Sequence, residues 1–559
     1  MSHGQTIQQL ETTIRGCITR GEYAEAEHLL DQSLDSGRSA FMLRLLQCDL
    51  FARTDRAPEA ERRLRALHEE RPHSQAPLGR LVRLLFQENR IDDARTLFLD
   101  ALWEASEPVD GADGLVNQLT SGAVDTEATI QFLMRLLATQ PSHPVALLRL
   151  GVMLARQNRP KDALAAFERS ATARPLPVYC LTVRADVLIA LGRFEEAIAQ
   201  ARELIALDPS NARYAEKWVI AAAAAGEPTQ LARALAQALT ACPHDWMLLF
   251  RFTRLYLRRS DVQEIFSLIA ARAPTGGVDG RTWFHYAMAC LEQGQVDTAL
   301  KALAHVDHSS SANHMARPLR AALVRLKEDG IVAPRIVEDR LRDFELVDVP
   351  GATTLLVVFA GLMGRFSYLP LSLLDSYLSR YRTHVVYLRD VRSAAYLDGL
   401  PSLGATEHDT QQALRALADR LGATRTITLG TSIGGFAAMR YGARMAADAA
   451  VSLAGPSLLN PETDVGPKPA VGRIGKAISM LGQSVDLIDD LQQAPDMLKI
   501  YGYNALAPRH VAQMRRHSAL PGTLLRPVEH AADHFCALRS VATGLLDQIL
   551  ERDLAIPRS

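Results

Sequence analysis

A period of 34 residues runs through the first three hundred positions of this 559-residue chain. A fixed period of that length restricts a chain to a stack of small, similar units, none of which can bury its apolar face alone. The period shows first at the turns. Gly21, Asp55, Asn89, Ala123, Asn158, Gly192, Gly226, Ser260 and Gly294 follow one another at gaps of 34 residues, with a single gap of 35. Five positions after each turn stand Ala26, Ala60, Ala94, Ala128, Ala163, Ala197, Leu231, Ile265 and Ala299. Four residues further on come Leu30, Leu64, Phe98, Phe132, Phe167, Ala201, Leu235, Ile269 and Leu303. Every one of these positions is apolar. A small residue early in the second helix of a unit lets the first helix approach, and the next apolar position, one turn on, fills the gap between them. Gly and Asn at the turns accept the backbone angles that reverse the chain. Prolines at 141, 175, 209 and 243 keep the same period and end one unit before the next begins.

This pattern resembles the tetratricopeptide repeat, with about nine units over roughly residues 7–313. The fit is closest where Gly151, Ala163, Phe167 and Pro175 stand at the family's positions, and loosest near 104–125 and 246–279. The resemblance implies an all-α solenoid that presents a surface for a protein or peptide partner. A solenoid that only orients or oligomerises the rest of the chain is the other reading.

Bulk composition narrows the partners. Lys plus Arg number 62 and Asp plus Glu 63, so no long-range field of one sign exists to attract nucleic acid or an anionic membrane. The six cysteines (17, 48, 180, 242, 290, 536) are scattered without metal-ligand spacing. They read as buried thiols of a reducing compartment. No secretory signal and no membrane-spanning run is visible, so the expectation is a cytoplasmic, soluble chain with no metal and no cofactor.

After Gly330 the helical rhythm stops. We read residues 1–330 as the solenoid, 331–343 as a linker and 344–559 as a second domain. In that domain short Val-, Leu- and Thr-rich runs alternate with amphipathic stretches, the pattern of parallel strands with crossover helices. Strands are expected at 344–349, 354–360, 383–388, 424–429, 449–453, 497–501 and 523–528, and helices near 370–380, 407–421, 434–447, 508–517 and 537–552. The stretch 457–495 reads as a cap or insertion. The chain is thus multidomain: an all-α solenoid followed by an α/β domain with a mostly parallel sheet.

At the end of the fourth expected strand, Gly430-Thr431-Ser432-Ile433-Gly434 matches the G-x-S-x-G nucleophile elbow. A serine on a tight strand-to-helix turn is pushed clear of the sheet, and Gly430 and Gly434 avoid collisions where the backbone doubles back. The helix that follows aims free N–H groups at an oxygen that becomes negative during acyl transfer, making Ile433 one oxyanion donor. These phrases resemble bacterial α/β-hydrolase-like proteins, some linked to surface polysaccharide, over about 350–555. The resemblance implies a histidine between the last strand and the last helix. His534 is preferred and His530 is the alternative. It also implies a second oxyanion donor in the loop after the second strand, from Leu362 or Gly361. Arg389 and Asp390, at another strand's end, are placed to bind substrate or to brace a loop. The acid is missing. Asn504 stands where it is expected, and Asp486, Asp489, Asp490, Asp496 and Asp533 are unconvincing substitutes.

Two functions remain open on this reading. One is a serine hydrolase of esterase or thioesterase type, or an acyltransferase using the same serine on a small acyl-ester-like substrate. The other is a non-catalytic scaffold with a degenerate hydrolase fold.

Overall fold

The structure, a computed structural model, describes residues 7–35, 41–71, 74–104, 112–120, 125–330, 332–459, 484–528 and 535–559. The chain packs into two compact units, Met1–Leu207 and Asp208–Ser559.

In the first unit the described residues form twelve helices, from α1 (Ile7–Arg20) to α12 (Phe194–Leu207), joined by short turns. The predicted turn residues take left-handed backbone angles: φ is 80° at Gly21, 51° at Asp55, 59° at Asn89, 57° at Asn158 and 74° at Gly192. Ala26, Ala60, Ala94, Ala163 and Ala197 are all fully buried, as are Leu30, Phe98 and Phe167. Gly151 shows why the packing needs a small residue: a Cβ there would sit 2.7 Å from the Phe167 ring. One unit is out of phase. Ala128 is only half-buried and its neighbour Thr129 is buried in its place, with its hydroxyl accepting from Arg95 at 2.7 Å. The turn expected at Ala123 lies outside the described residues.

The second unit begins with seven more helices, α13 (Ala212–Ala225) to α19 (Asn313–Glu328). Gly226 and Gly294 keep the left-handed turn, with φ of 77° and 68°. Ser260 does not, and here the sequence expectation is corrected. It lies inside α16 (Arg259–Ala271), because α15 (Trp246–Arg254) stops early and the chain crosses to α16 through an extended stretch. Arg340 explains the early stop: its guanidinium bonds the Phe252 and Leu255 carbonyls at 2.6 and 3.0 Å, capping the end of α15.

Seven strands form one sheet in the order β1-β3-β2-β4-β5-β8-β9. They are β1 (Phe344–Val347), β2 (Thr354–Phe359), β3 (His384–Leu388), β4 (Arg425–Thr431), β5 (Ala449–Leu453), β8 (Leu498–Tyr503) and β9 (Thr523–Pro527). All neighbours are parallel except β1, which runs antiparallel to β3. The central strands β2, β3 and β5 are buried along their whole length, which is why they read as unbroken apolar runs. The crossover helices include α20 (Leu371–Leu378), α21 (Glu407–Leu421) and α22 (Ile433–Met445). Thr406 and Asp409 close a capping box at the start of α21, and Gly422 ends it with φ 67°.

The stretch expected as an insertion leaves and returns as a two-stranded antiparallel ribbon, β6 (Leu458–Leu459) with β7 (Val485–Asp486); its middle lies outside the described residues. The last expected helix is divided into Cys536–Ala542, Leu545–Gln548 and a π turn at Ile549–Asp553, the first break falling at Gly544 with φ 73°. The segment 331–343, read as a linker, is tied down in its described residues by ion pairs: Arg335 with Asp375, Glu338 with Arg389 and Arg340 with Glu292.

No helix among the described residues is long and apolar enough to cross a membrane. All six cysteines are buried free thiols.

Candidate functional site

The strand order reverses direction between β2 and β4. From β2 the chain goes to β3 on one side, and from β4 it goes to β5 on the other. The crevice at such a switch point, outside the carboxyl ends of the strands, is where open α/β sheets hold ligands. Ser432 stands there. Strand β4 runs two residues further than its sequence suggests, so Gly430 pairs with Phe359 and Thr431 with Leu453 before the chain turns. Ser432 then takes φ 54° and ψ −126° and caps α22. For a residue with a side chain this is a strained conformation, of the kind kept where surrounding contacts enforce it.

Those contacts are visible. The Ser432 amide donates to Leu453 O at 3.0 Å, and its carbonyl accepts from the Gly435 and Phe436 amides at 2.8 and 3.2 Å. A Cβ on Gly430 would lie 2.0 Å from Gly434 O, and one on Gly434 would lie 2.3 Å from Phe359 O. A Cβ on Gly435, which the motif does not include, would lie 2.5 Å from Ser452 Oγ. Backbone is therefore packed on backbone around the turn, and Ser432 itself remains partly exposed. Ile433 is the first residue of α22, where no carbonyl one turn back exists to take its amide proton.

The loop after β2 lies against the same turn: a Cβ on Gly361 would lie 3.5 Å from Thr431 O. The Gly361 amide, expected as a possible oxyanion donor, is already committed: it donates to Arg365 O at 2.8 Å and closes the loop. The Leu362 side chain packs on the apolar cluster that contains Ile433, Phe436 and Ala395.

Arg389 and Asp390 face inward. Arg389 is 1% exposed and binds Glu345 at 2.8 Å, Glu338 at 2.6 Å and the Gly364 carbonyl at 3.3 Å. Asp390 is buried and accepts from the Tyr396 amide at 3.1 Å, and burial pushes its carboxyl above the usual range. Asn504 follows β8 directly; it is buried, and its Oδ1 accepts from the Leu506 amide at 2.8 Å in a local turn. Asp486 caps a helix and pairs with Arg516, while Asp490 pairs with Arg440 and Arg444 at 2.6 and 2.8 Å. Asp489 and Asp496 are exposed. His530, Asp533 and His534 lie outside the described residues. Among those described, no group of three or more His, Cys, Asp or Glu is arranged to hold a metal ion.

Three other histidines, His285, His384 and His517, are buried in this unit without belonging to the site. Burial, then Arg254, Arg365 and Arg281, pushes His285 down to about 3. Burial and then Arg516, against Asp486, pushes His517 down to about 4. Both are neutral in the folded state and gain protons on unfolding below the ordinary value of 6.5. The stability these two histidines contribute is therefore full above pH 6.5 and is lost as pH drops towards 4. Each histidine contributes about 3 kcal/mol to that fall. His517→Phe, which keeps the ring stacked on Tyr501 at 4.5 Å, should flatten the fall in urea midpoint; parallel pH curves for variant and wild type would contradict this.

Comparison with known proteins assigns the class of the helical part. Models described as tetratricopeptide repeat match residues 51–105, 133–176 and 178–211. The N-terminal part of the chain is a tetratricopeptide-repeat solenoid, followed by a region with a mostly parallel sheet. Solved structures similar to the chain include a tetratricopeptide repeat protein of Parabacteroides merdae, 15% identical, covering 51% of this chain and 98% of that one at a TM-score of 0.26. Another is PilF of Pseudomonas aeruginosa, 15% identical, covering 37% and 95% at 0.27. A third is the C-terminal part of a repeat protein from Cytophaga hutchinsonii, 13% identical, covering 43% and 98% at 0.32. No curated protein matches the chain.

Proposed function

We propose that residues 344–559 form a serine hydrolase of the α/β-hydrolase type acting on an ester or thioester, and that the repeats of residues 1–330 hold a protein or peptide partner. The observation that carries the first part is the backbone of Ser432. A left-handed serine sits at the switch point of the sheet, between two glycines that leave no room for a Cβ. Strain of this kind is kept where function requires a side chain to project. In this reading Ser432 Oγ attacks the acyl carbon and its proton passes to His534, with His530 as the alternative base; the bond to the alcohol or thiol then breaks, and the imidazolium returns the proton to that leaving group. The Ile433 and Leu362 amides receive the oxyanion. Water, or a sugar or amine in a transferase, then takes the acyl group. No cofactor is required. The repeat matches support the second part, because stacked repeats of this class offer extended surfaces for protein segments.

Asn504 favours a second reading, a scaffold that has lost its chemistry, since an amide cannot supply the charge that stabilises an imidazolium. Hydrolysis of p-nitrophenyl butyrate separates the two. The full chain should turn over the ester, Ser432→Ala should lose about a thousandfold or more, and His534→Ala should lose as much while His530→Ala stays within a few-fold. Equal rates for wild type and Ser432→Ala would leave only the scaffold.

A further inference from the structure

The geometry points to Arg365 as a positioning residue for the oxyanion loop, anchored by Glu292 of the repeat helices. This inference rests on the reading of Ser432 as the nucleophile. The loop after β2 is a five-residue turn whose internal bonds are Gly361 N–H to Arg365 O at 2.8 Å and Gly364 N–H to Gly361 O at 2.9 Å. Leu362 lies between them. Two bonds do not hold a half-buried turn to the fraction of an ångström that an oxyanion donor needs, so the precision has to come from supporting contacts.

Arg365 supplies them from within the turn. Its own carbonyl closes the loop, while its side chain, 4% exposed, reaches away from the sheet. One guanidinium nitrogen donates to the Thr253 carbonyl of α15 at 2.6 Å and forms an ion pair with Glu292, the residue after α17 (Gly280–Leu291). Glu292 is itself held on the far side by Arg340 at 2.9 Å. A second brace comes from the strand side, where Arg389 donates to the Gly364 carbonyl and is fixed by Glu338 and Glu345. The turn that presents Leu362 is therefore set by two buried arginines, one of which is moored in the repeats. The helices between Asp208 and Gly330 become part of the reacting unit instead of a detachable binding arm.

Two substitutions in the same buried network separate positioning from plain stability. Arg365→Met removes the mooring of the loop and leaves Glu292 paired with Arg340. Arg340→Met damages the same network, including the bonds to the Phe252 and Leu255 carbonyls, without touching the turn. Both should lower the melting temperature of the full chain. Only Arg365→Met should lower kcat for p-nitrophenyl butyrate by about tenfold to a hundredfold at unchanged KM, less than the roughly hundredfold to thousandfold cost of removing an oxyanion donor outright. Arg365→Lys should recover part of the loss, and hydrogen exchange at the Gly361 amide should quicken in Arg365→Met alone. Equal kcat in folded Arg365→Met and Arg340→Met, with wild type active, would overturn this inference and leave the nucleophile standing. A wild-type chain inactive towards every ester would overturn both.

Discussion

Gly434→Ala is expected to destabilise the second unit by about 3 kcal/mol or more, even though Ala is the better helix former by about 1 kcal/mol. Gly434 has ordinary helical geometry, so the whole loss is steric. The added methyl would lie 2.3 Å from the Phe359 carbonyl oxygen and 2.6 Å from that of Ala360. Both are backbone atoms at the end of a central, fully buried strand, and neither can swing aside as a side chain could. Either β2 and α22 separate, or the elbow opens and Ser432 loses its strained angle. Gly422→Ala is the matched control. It has nothing within 4 Å of a new Cβ but a φ of 67°, so its cost is the left-handed penalty of about 1 kcal/mol. Urea unfolding of the two variants should therefore differ severalfold in lost stability. Equal losses would show that the close approach of backbone around Ser432 is wrong.

The second large effect is expected at Glu292. Its carboxyl is buried between Arg340 and Arg365; burial alone pushes it up, yet the two guanidiniums outweigh that and hold it below the usual carboxylate range. Glu292→Gln keeps the shape and deletes the charge, which strands two buried cations and should cost about 3–5 kcal/mol. Asp297→Asn, breaking the Lys327 pair in which both side chains are more than half exposed, should cost under about 1 kcal/mol. Thermal unfolding of the two variants reads the contrast, and similar midpoints would mean that the Glu292 network carries no load.

Much of this architecture is legible in the sequence, for reasons that differ by region. The repeats are readable because a unit that packs only on its neighbours must restate its small and large residues each time, as Ala163 and Phe167 restate Ala26 and Leu30. The strands are readable because β2, β3 and β5 are buried on both faces and admit little but apolar residues. The Gly430-to-Gly434 turn is readable because only glycine fits there. Other features carry no local signal. The misreading of Ser260 came from a turn whose geometry is set by Arg340, eighty residues later in the chain. The commitment of the Gly361 amide to Arg365, and the mooring of Arg365 on Glu292, depend on contacts between elements far apart in sequence. Nothing in the residues around position 365 distinguishes that arginine from a surface one.

Covalent labelling is the most direct measurement of the central claim. The full chain is treated with a fluorophosphonate, and the adduct is located by peptide mapping. The account predicts one modification, on Ser432, absent in Ser432→Ala and sharply reduced in His534→Ala. Folded wild-type protein that remains unlabelled, or carries the adduct on another serine, would contradict it.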